Sequence, residues 1–265
     1  MGTAAPRRIV SLTCSNTEIL FALGLGSRVV GVDDWSDFPE EVKRLPRVGP
    51  DLKIDMAKVA ALRPDLVLAS LSVPGMERNL AGLERLGVPF LVLHPTSLDD
   101  VFNDIELISE ATGVPEAGGR LIATLQTRID AVGKRAGEAA RRPTVYWEWW
   151  PRPLISPGRQ SWIVQMTDLV ASDLLFKEVD ATSFVVEESQ VFGHDPEYVI
   201  LCWCGTLQKT MSTTKVADRP GWNTLRAVQA RRIHCLPEDL YGRPGPRLAE
   251  GLERLAQIVH PELFA

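Results

Sequence analysis

The most reactive side chains of the chain belong to its four cysteines, Cys14, Cys202, Cys204 and Cys235. Cys14 comes just before a predicted helix, where backbone N–H groups and the helix dipole favour a thiolate that can bind a soft metal. Cys202 and Cys204 share one face of a predicted strand, but Cys-x-Cys without a second close pair is a poor zinc signature. We therefore predict no metal site of the chain's own. If a composite site does form, its candidate ligands are Cys202, Cys204, Cys235 and His194, and the alternative for each is a buried or solvated side chain that binds no metal.

Sequence signatures of catalysis are weak. The histidines, His94, His194, His234 and His260, are scattered, and none stands in a Ser-His-Asp or Cys-His-Asn order with a motif around the nucleophile. We expect His260, in the C-terminal tail, to face solvent. The glycines of segment 24–26 close a helix rather than follow a strand, so they are not a dinucleotide fingerprint. The sequence thus predicts a protein that is not an enzyme and needs no catalytic cofactor.

Aromatic residues are concentrated in segment 146–162, which holds four of the seven tryptophans. Side chains of a strand alternate between its faces. Trp147 and Trp149 then share one face, and Glu148 and Trp150 share the other. Both faces of this strand therefore need covering, and most of the cluster is expected to be ordinary core.

The prolines that follow this strand fix the backbone and end the strand. This leaves Trp150, Arg152 and Leu154 on a stiff lip. Rigid aromatic side chains with a few polar groups at their edges are well suited to hold a large flat ligand. The lip is therefore the part of the cluster that we predict to bind a ligand.

Composition limits the class of protein. A chain of 265 residues with 45% hydrophobic and 24% charged residues can bury one large core or two modest ones. Its net charge of -5, with scattered basic residues, predicts no binding to nucleic acid. No apolar run approaches the roughly 20 residues of a membrane span, and segment 1–8 is too short and polar for a signal peptide. The cysteines are too few and dispersed for a disulfide framework and are expected to be free thiols.

The elements that must position these residues alternate regularly between strand and helix. The first half contains predicted strands at 8–12, 29–32, 65–69 and 90–93, and predicted helices from 15, 56–62, 76–86 and 98–111. Ser15 and Glu18 have the spacing of a capping box at the start of the first helix. The second half contains predicted strands at 144–149, 183–186, 198–204 and 232–236, and predicted helices at 161–171 and 246–259. Such alternation is typical of mainly parallel sheets with helices on their faces.

One long helical stretch, 116–141, interrupts this alternation. We therefore predict an α/β fold with two α/β lobes, 1–114 and 142–265, joined by a helix in segment 115–141, with a ligand cleft between the lobes. Ligands of open parallel sheets bind beyond the carboxyl ends of the strands. The loops expected there are 13–16, 33–37, 69–74, 150–158, 202–208 and 237–247.

Several motifs in these loops carry a family resemblance. They are Arg-Ile-Val-Ser-Leu at 8–12, Ser-Asn-Thr-Glu-Ile-Leu-Phe-Ala-Leu-Gly-Leu-Gly at 15–26, Val-Gly-Val-Asp-Asp-Trp-Ser-Asp-Phe-Pro at 30–39, Leu-Arg-Pro-Asp-Leu-Val-Leu-Ala at 62–69, Pro-Leu-Ile-Ser-Pro-Gly-Arg-Gln-Ser at 153–161 and Tyr-Gly-Arg-Pro-Gly-Pro-Arg-Leu at 241–248. In their order and spacing, the chain resembles the substrate-binding proteins of ABC importers for cobalamin, iron-siderophores and haem. Within that group it looks most like the cobalamin-binding branch, in which the corrin lies between two lobes joined by a single helix.

The resemblance implies particular ligand contacts. Trp35 matches an aromatic that packs on the ligand, and Leu154 and Ile155 match a second contact. The loop with Asp239, Tyr241 and Arg243 matches a third, with Asp239 and Arg243 as polar partners for corrin amides. Taken with the lip and the chemistry of the strand ends, the full set of predicted ligand-binding residues is Trp35, Trp150, Arg152, Leu154, Ile155, Trp203, Asp239, Tyr241, Arg243 and Cys14.

The resemblance also implies docking to an ABC permease through one acidic residue on each lobe. In the C-terminal lobe, Glu187 and Glu188 lie near the expected place. In the N-terminal lobe the matching place is Met56-Ala57, so only Asp55 can stand in for the carboxylate. Family membership implies an extracytoplasmic protein, whereas Met1 as the native start implies a cytoplasmic one, because segment 1–8 is no signal peptide.

The leading hypothesis is a monomeric, non-enzymatic protein that binds a corrinoid such as cobalamin for ABC-type import. Three alternatives stay open. The ligand is an iron-siderophore or haem, the protein is a cytosolic corrinoid carrier or sensor, or it is a chelatase-like or thiol enzyme that uses Cys14 with Cys204 on a metallo-tetrapyrrole.

Overall fold

The computed structural model describes residues 5–264. The first four residues of segment 1–8, on which the signal-peptide prediction partly rests, lie outside the described residues, as does residue 265. The chain divides into two compact units. Unit 1 comprises Met1–Pro95, Asp99–Leu125 and Pro244–Pro246, and unit 2 comprises Thr96–Leu98, Gln126–Arg243 and Arg247–Ala265. The sequence-based division into 1–114, 115–141 and 142–265 stays a prediction.

The first part of the chain forms a parallel sheet of short, mostly buried, apolar strands. The strands are β1 (Ile9–Ser11), β2 (Val29–Val32), β3 (Leu66–Ser70) and β4 (Phe90–Leu93), and the helices are α1 (Cys14–Ala22), α2 (Met56–Ala61), α3 (Glu77–Leu86) and α4 (Leu98–Ala111). The strand order is β2-β1-β3-β4, with every pair parallel. This confirms the predicted α/β alternation.

The predicted capping box at the start of α1 is wrong. The helix begins at Cys14, and its N-cap residue is Thr13, which makes no side-chain capping hydrogen bond. The Thr13 hydroxyl instead lies 3.5 Å from the Ser15 hydroxyl. Ser15 and Glu18 are buried inside the helix, so Cys14 is the first helical residue rather than the residue before the helix.

The long helix α5 (Pro115–Ala136) begins as expected but ends five residues before the predicted end at 141. Proline is well suited to its first position, where no intrahelical N–H partner is needed. At its other end, the Gly137 N–H still bonds to the Gly133 carbonyl at 2.9 Å, and the chain then leaves the helix. Glycine costs about 1 kcal/mol relative to alanine inside a helix, which explains the early end. Among residues 5–264, no helix is both long enough and apolar enough to cross a membrane.

The second part of the chain contains a second parallel sheet. The strands of this part are β5 (Thr144–Glu148), β6 (Trp150–Pro151), β7 (Leu154–Pro157), β8 (Asp173–Leu174), β9 (Ser183–Val185), β10 (Tyr198–Leu201) and β11 (Ile233–Cys235), and its helices are α6 (Trp162–Leu169), α7 (Glu188–His194), α8 (Thr213–Ala217), α9 (Arg226–Gln229), α10 (Leu248–Val259) and α11 (Pro261–Phe264). The parallel sheet has the order β11-β10-β5-β8. The parallel α/β organisation is thus confirmed for this part as well.

Three of the strands form a small antiparallel sheet that was not predicted. Its order is β6-β7-β9, and it follows directly after the carboxyl end of β5. We expected the prolines to end this strand, but β5 already ends at Glu148, and Pro151 and Pro157 lie within β6 and β7. The chain turns back through Arg152 and Pro153 and pairs with itself. The segment after Trp149 is therefore a hairpin rather than a loop.

The two faces of β5 are covered as the alternation predicts. Tyr146 and Trp147 are both fully buried. The Trp147 and Trp149 rings share a face, with their centroids 5.7 Å apart in an edge-to-face arrangement. On the other face, the Tyr146 ring lies 6.0 Å from that of Trp222. Most of the tryptophan cluster is therefore core.

The C-terminal end of the chain holds one correction. His260 was expected in solvent, but it is buried, with Nε2 3.3 Å from the Ala171 carbonyl oxygen and Nδ1 3.1 Å from Glu262. It follows α10 directly and precedes the short helix α11. The tail folds onto unit 2, and a position near the chain terminus did not imply exposure.

Candidate ligand-binding site

The sheet of unit 2 has a topological switch point between β5 and β10. From β5 the chain goes first to β8 on one side and later to β10 and β11 on the other side. Ligands of such sheets bind outside the carboxyl ends of the strands that flank the switch point. Here the carboxyl end of β5 leads into Trp149, and the carboxyl end of β10 leads into Trp203. The two ends are joined by backbone hydrogen bonds, Cys202 N to Glu148 O at 3.0 Å and Cys204 N to Trp149 O at 3.1 Å.

An exposed apolar row lies on the small sheet beside this switch point. Trp150 pairs with Ile155 across β6 and β7, and Ile155 pairs with Val185 across β7 and β9. Directly opposed residues of antiparallel strands point to the same face. Trp150 is 40% exposed, Val185 is 55% exposed and Ile155 is half-buried. We call Trp150, Ile155 and Val185 the apolar row.

The hairpin turn beside the apolar row carries a cation. Arg152 is exposed in this turn, and its carbonyl oxygen accepts a hydrogen bond from Trp150 Nε1 at 3.0 Å. This bond holds the indole of Trp150 in place. Leu154 is different, because it is only 6% exposed and packs in the core with Tyr146 and Val186. The predicted place of Leu154 on an exposed lip is therefore wrong: the antiparallel pairing turns its side chain to the face opposite Ile155.

A buried carboxylate lies beneath the switch point. Glu148, the last residue of β5, is fully buried, and its oxygens accept two hydrogen bonds from Arg219, at 2.7 and 2.8 Å. Glu148 Oε1 also accepts a hydrogen bond from Trp203 Nε1 at 2.9 Å. Although burial alone lowers the pKa of Arg219, the hydrogen bond and the charge of Glu148 outweigh this effect and raise it, so Arg219 stays charged. Trp203, half-buried, is thus fixed by the interior of unit 2.

The same arginine is held from its other side. The Arg219 guanidinium carbon lies 4.6 Å from the centre of the Trp222 ring, which is within reach of a cation–π contact. Trp222 Nε1 donates to Glu188 Oε1 at 3.2 Å. Glu188 is therefore an exposed carboxylate in the first turn of α7 whose orientation is set by the Trp222 side chain.

The loop after β11, which is the third predicted ligand contact, is held in place by the buried side chain of Tyr241. Tyr241 is fully buried, donates from its hydroxyl to the Gly251 carbonyl at 2.8 Å, and lies with its ring 5.3 Å from that of Trp147. Trp162 Nε1 donates to the Tyr241 carbonyl at 2.6 Å. The predicted role of Tyr241 as a ligand contact is corrected: the residue fixes the loop and offers no surface.

The polar residues of that loop are already paired. Arg243 Nε lies 3.4 Å from Glu238 Oε2, and Arg247 Nη2 lies 2.8 Å from Asp239 Oδ2. Asp239 and Arg243 are both half-buried. The four charges of this loop balance one another, so the loop presents polar atoms but little net charge.

In unit 1, Trp35 follows the carboxyl end of β2 and is 57% exposed. Its backbone N–H donates to Asp33 Oδ2 at 2.9 Å. Burial raises the pKa of the nearby Asp51, and the hydrogen bond from the Leu52 N–H opposes this shift. The Asp33 carboxylate thus fixes the backbone at Trp35, and the indole itself is exposed.

The base of the Trp35 loop is a buried polar network around Asp33. The Asp33 carboxylate accepts a hydrogen bond from the Ser36 hydroxyl, which lies 2.8 Å from that of Thr17. Arg47 Nη1 donates to the carbonyl oxygens of Asp33 and Ser36, at 2.7 and 2.6 Å. Cys14 Sγ lies 3.9 Å from Asp33 Oδ2. Cys14 is half-buried and belongs to this network as the first residue of α1.

The remaining cysteines differ in exposure: Cys202 is buried, Cys204 is exposed and Cys235 is half-buried. Each of the four cysteines is a thiol that forms no disulfide, as expected. Cys202 is fully buried, and burial, together with Cys204, raises the pKa of its thiol well above the ordinary value. Burial also raises the pKa of Cys235. Metal binding needs the thiolate, which both shifts disfavour. His194 ends α7 with its ring 5.3 Å from that of Phe176, and residues 5–264 contain no group of three or more His, Cys, Asp or Glu side chains placed to hold a metal ion.

The predicted docking carboxylates are exposed, and each sits at the start of a short helix. Asp55 caps α2, and its Oδ1 accepts hydrogen bonds from Ala57 N and Lys58 N at 3.0 and 3.2 Å. Glu187 precedes α7, and its backbone N–H donates to Gln190 Oε1 at 2.9 Å. These hydrogen bonds fix the backbone at the start of each helix, and the carboxylates of Asp55 and Glu187 stay exposed to solvent.

The profile of the family described as periplasmic binding protein matches residues 9–240, and the chain belongs to this family. It is 30% identical over 265 residues to the uncharacterized ABC transporter substrate-binding lipoprotein YvrC of Bacillus subtilis. The alignment covers 98% of this chain and 82% of the relative. It is 27% identical over 253 residues to a vitamin B12-binding protein of Vibrio cholerae, and this alignment covers 94% of this chain and 87% of the relative.

Solved structures agree with this assignment. The fold matches the periplasmic vitamin B12 binding protein BtuF of Vibrio cholerae with a TM-score of 0.81 and 25% identity, over 97% of this chain and 98% of that one. It matches the periplasmic haem-binding protein RhuT from Roseiflexus sp. RS-1 with a TM-score of 0.85 and 27% identity, over 96% and 98%. The family resemblance recognised in the sequence motifs is confirmed, as is the α/β fold.

Two parts of the candidate site were missed from the sequence. Val185 was not singled out, because its place beside Ile155 depends on pairing between segments 30 residues apart. The Glu148–Arg219 pair was also missed, although a glutamate within an aromatic strand is a sign of a buried, partnered carboxylate. Its partner, 71 residues away, has no local signature.

Proposed function

We propose that this chain is a non-enzymatic substrate-binding protein of an ABC-type importer and that its ligand is a corrinoid. The observation that carries the proposal is the apolar row of Trp150, Ile155 and Val185, held rigidly beside the switch point of its sheet. A flat macrocycle gains most from rigid apolar faces with a few polar groups at their edges. Trp35 in unit 1 is a further exposed indole that the family resemblance matches to a ligand contact, and its backbone is fixed by Asp33.

The names of the relatives support this class of ligand. One relative is named for vitamin B12 binding, and a similar fold is named for haem binding. Both ligands are flat tetrapyrrole-type macrocycles. The loop of Glu238, Asp239, Arg243 and Arg247 favours the corrinoid, because its arginines are already paired with carboxylates. Neutral amide groups of a corrin can hydrogen-bond to such a loop without breaking an ion pair, whereas haem propionates compete for the same arginines.

A binding experiment tests the proposal. Purified protein is titrated by calorimetry with cyanocobalamin, haemin and a ferric hydroxamate siderophore. We expect saturable binding of cyanocobalamin, and we expect Trp150→Ala and Trp35→Ala to weaken it at least about tenfold, as for a buried aromatic contact. Leu107→Ser is the matched control, because Leu107 is an exposed apolar residue on the helix α4. Saturation by haemin or the siderophore alone would reassign the ligand, and no binding of any of the three would overturn the proposal.

We further propose that Asp55 of unit 1 and Glu187 or Glu188 of unit 2 dock to the permease and that the protein acts outside the cytoplasm. The exposure of these carboxylates and the lipoprotein and periplasmic descriptions of the relatives support this. Asp55→Asn and Glu188→Gln should lower the stimulation of a reconstituted cognate permease's ATPase without changing ligand affinity. Unchanged stimulation in the double variant would exclude these carboxylates from docking. The division into two lobes, 1–114 and 142–265, with a linking segment at 115–141 is part of the same proposal.

A further inference from the structure

Trp203 is the one predicted ligand contact whose side chain is fixed by a buried ion pair. Its indole N–H donates to Glu148, a residue with no exposed surface. A tryptophan N–H is a single donor, so one strong acceptor in the interior sets the direction of the ring edge. The ring of a tryptophan held in this way has little freedom to turn about its side-chain bonds.

Glu148 can serve as that acceptor only because it is itself held. Arg219 binds both of its oxygens in a bidentate arrangement, at 2.7 and 2.8 Å, which fixes the plane of the carboxylate. The Arg219 guanidinium in turn stacks on Trp222. Tyr146 Oη, at 3.5 Å from Glu148 Oε2, adds a weaker contact. A buried network of this kind orients its members strongly when every polar group is satisfied.

The position of the network in the sheet connects it with ligand binding. Glu148 ends β5 and Trp203 follows β10, so their hydrogen bond spans the two strands that flank the switch point. A hydrophobic residue at position 148 would fill the core equally well but would leave both the Trp203 N–H and Arg219 without an acceptor. A buried ion pair is at best neutral for stability relative to a well-packed apolar pair, so stability alone does not explain its presence.

We infer that Glu148 and Arg219 are positioning residues for the ligand: they act through Trp203 by fixing the orientation of its ring at the switch point. The inference rests on the proposed function, because it assumes a corrinoid bound at this edge of the sheet. Neither residue needs to touch the ligand.

A double-mutant cycle on ligand affinity tests this role. Arg219→Lys keeps the charge but loses the bidentate geometry, and Trp203→Phe keeps a ring but loses the N–H. We expect each single variant to raise the Kd for cyanocobalamin about fivefold, the equivalent of one hydrogen bond. In the Trp203→Phe background, Arg219→Lys should then have no further effect, because the bond through which it acts is gone. Additive effects, or no effect of Arg219→Lys, would overturn the inference.

A matched control and a second readout separate positioning from stability. Arg226 also pairs with a carboxylate of unit 2, Asp195, at 2.8 Å and away from the switch point, so Arg226→Lys should leave the Kd unchanged. Indole N–H exchange followed by NMR needs no ligand: Trp203 should exchange slowly in the native protein and at least about tenfold faster in Arg219→Lys. If Arg219→Lys does not fold, Glu148→Gln takes its place.

The outcomes distinguish the two proposals. Failure of the native protein to bind cyanocobalamin, haemin or siderophore overturns the proposed function, and the positioning role with it. Binding by the native protein together with additive effects, or with equal indole exchange in native protein and variant, overturns the positioning role alone.

Discussion

Tyr241 and Gly251 are locked together at the end of unit 2. The Tyr241 hydroxyl donates to the Gly251 carbonyl oxygen at 2.8 Å, and a β-carbon on Gly251 would overlap the Leu240 carbonyl oxygen and lie 3.1 Å from the Tyr241 ring. Gly251 lies inside α10, where glycine is otherwise unfavourable. The close approach of the loop with Asp239 to this helix is the reason for the glycine.

Gly251→Ala should therefore destabilise the protein, although alanine is the better helix former. We expect a loss of about 1–3 kcal/mol in the free energy of unfolding, because the added methyl group forces the loop away from the helix. Urea unfolding followed by circular dichroism measures it. Gly119→Ala is the control: Gly119 lies within α5 with nothing within 4 Å of its added β-carbon, so it should gain about 0.5–1 kcal/mol. Equal effects of the two substitutions would contradict the packing argument.

A second prediction concerns Asp104, a buried residue of α4. Burial, and then the charge of Asp100, raise its pKa to about 7. Because this value lies above the model-peptide value of 3.8, the folded protein holds a proton that the unfolded chain has lost, and stability falls as pH rises from about 4 to about 7. The full loss is on the order of 4 kcal/mol, since one pKa unit corresponds to about 1.4 kcal/mol.

Asp104→Asn should remove most of this slope and make the protein more stable near neutral pH. Unfolding free energies measured at several pH values between 4 and 8 provide the test. Asp99→Asn, at an exposed aspartate on the same helix, should keep the native slope. A slope that is unchanged in Asp104→Asn would show that other groups are responsible for it.

The cap of α2 allows the two roles of Asp55 to be separated. Its carboxylate accepts hydrogen bonds from Ala57 N and Lys58 N, so Asp55→Ala should cost about 1 kcal/mol of stability. Asp55→Asn is expected to keep the cap, because asparagine is an equally good N-cap residue. Thermal melts of the three proteins measure this. A melting temperature for Asp55→Ala equal to that of the native protein would contradict the capping role.

Cys14 provides a test against the enzymatic alternative. Its thiol lies 3.9 Å from Asp33 Oδ2 in a polar network and is only half-buried. Cys14→Ser keeps a small polar side chain there, so we expect the Kd for cyanocobalamin to change by less than about threefold, under 1 kcal/mol. A thiol enzyme would instead lose turnover in this variant. Loss of ligand binding in Cys14→Ser would place the thiol in contact with the ligand.

The sequence predicted the two parallel sheets because their evidence is local. Short apolar runs such as 66–70 and 198–201, separated by helical periods, can be recognised one window at a time. The alternation of buried faces around Trp147 is equally local. The family motifs predicted the class of protein, which composition and periodicity alone do not indicate.

Most of the failures have a different physical origin, because they concern contacts between residues that are not neighbours in the chain. Burial of Tyr241 and His260 depends on Gly251 and Ala171, which lie 10 and 89 residues away. The strand β6 is only two residues long and includes Pro151, so no periodicity marks it. A strand was predicted at 183–186, but the pairing of β9 with β7 was not. The α1 cap is a local error: Ser15 fits the capping pattern, but the true N-cap is Thr13, two residues earlier.

The apolar row has one more consequence. Trp150 lies on β6 and Val185 on β9, and both are edge strands of their sheet. Exposed apolar side chains beside the open edge of a sheet favour pairing with a second copy of the chain. Under the proposed function, a bound ligand would cover the apolar row, and the ligand-free protein would self-associate more readily than the bound form.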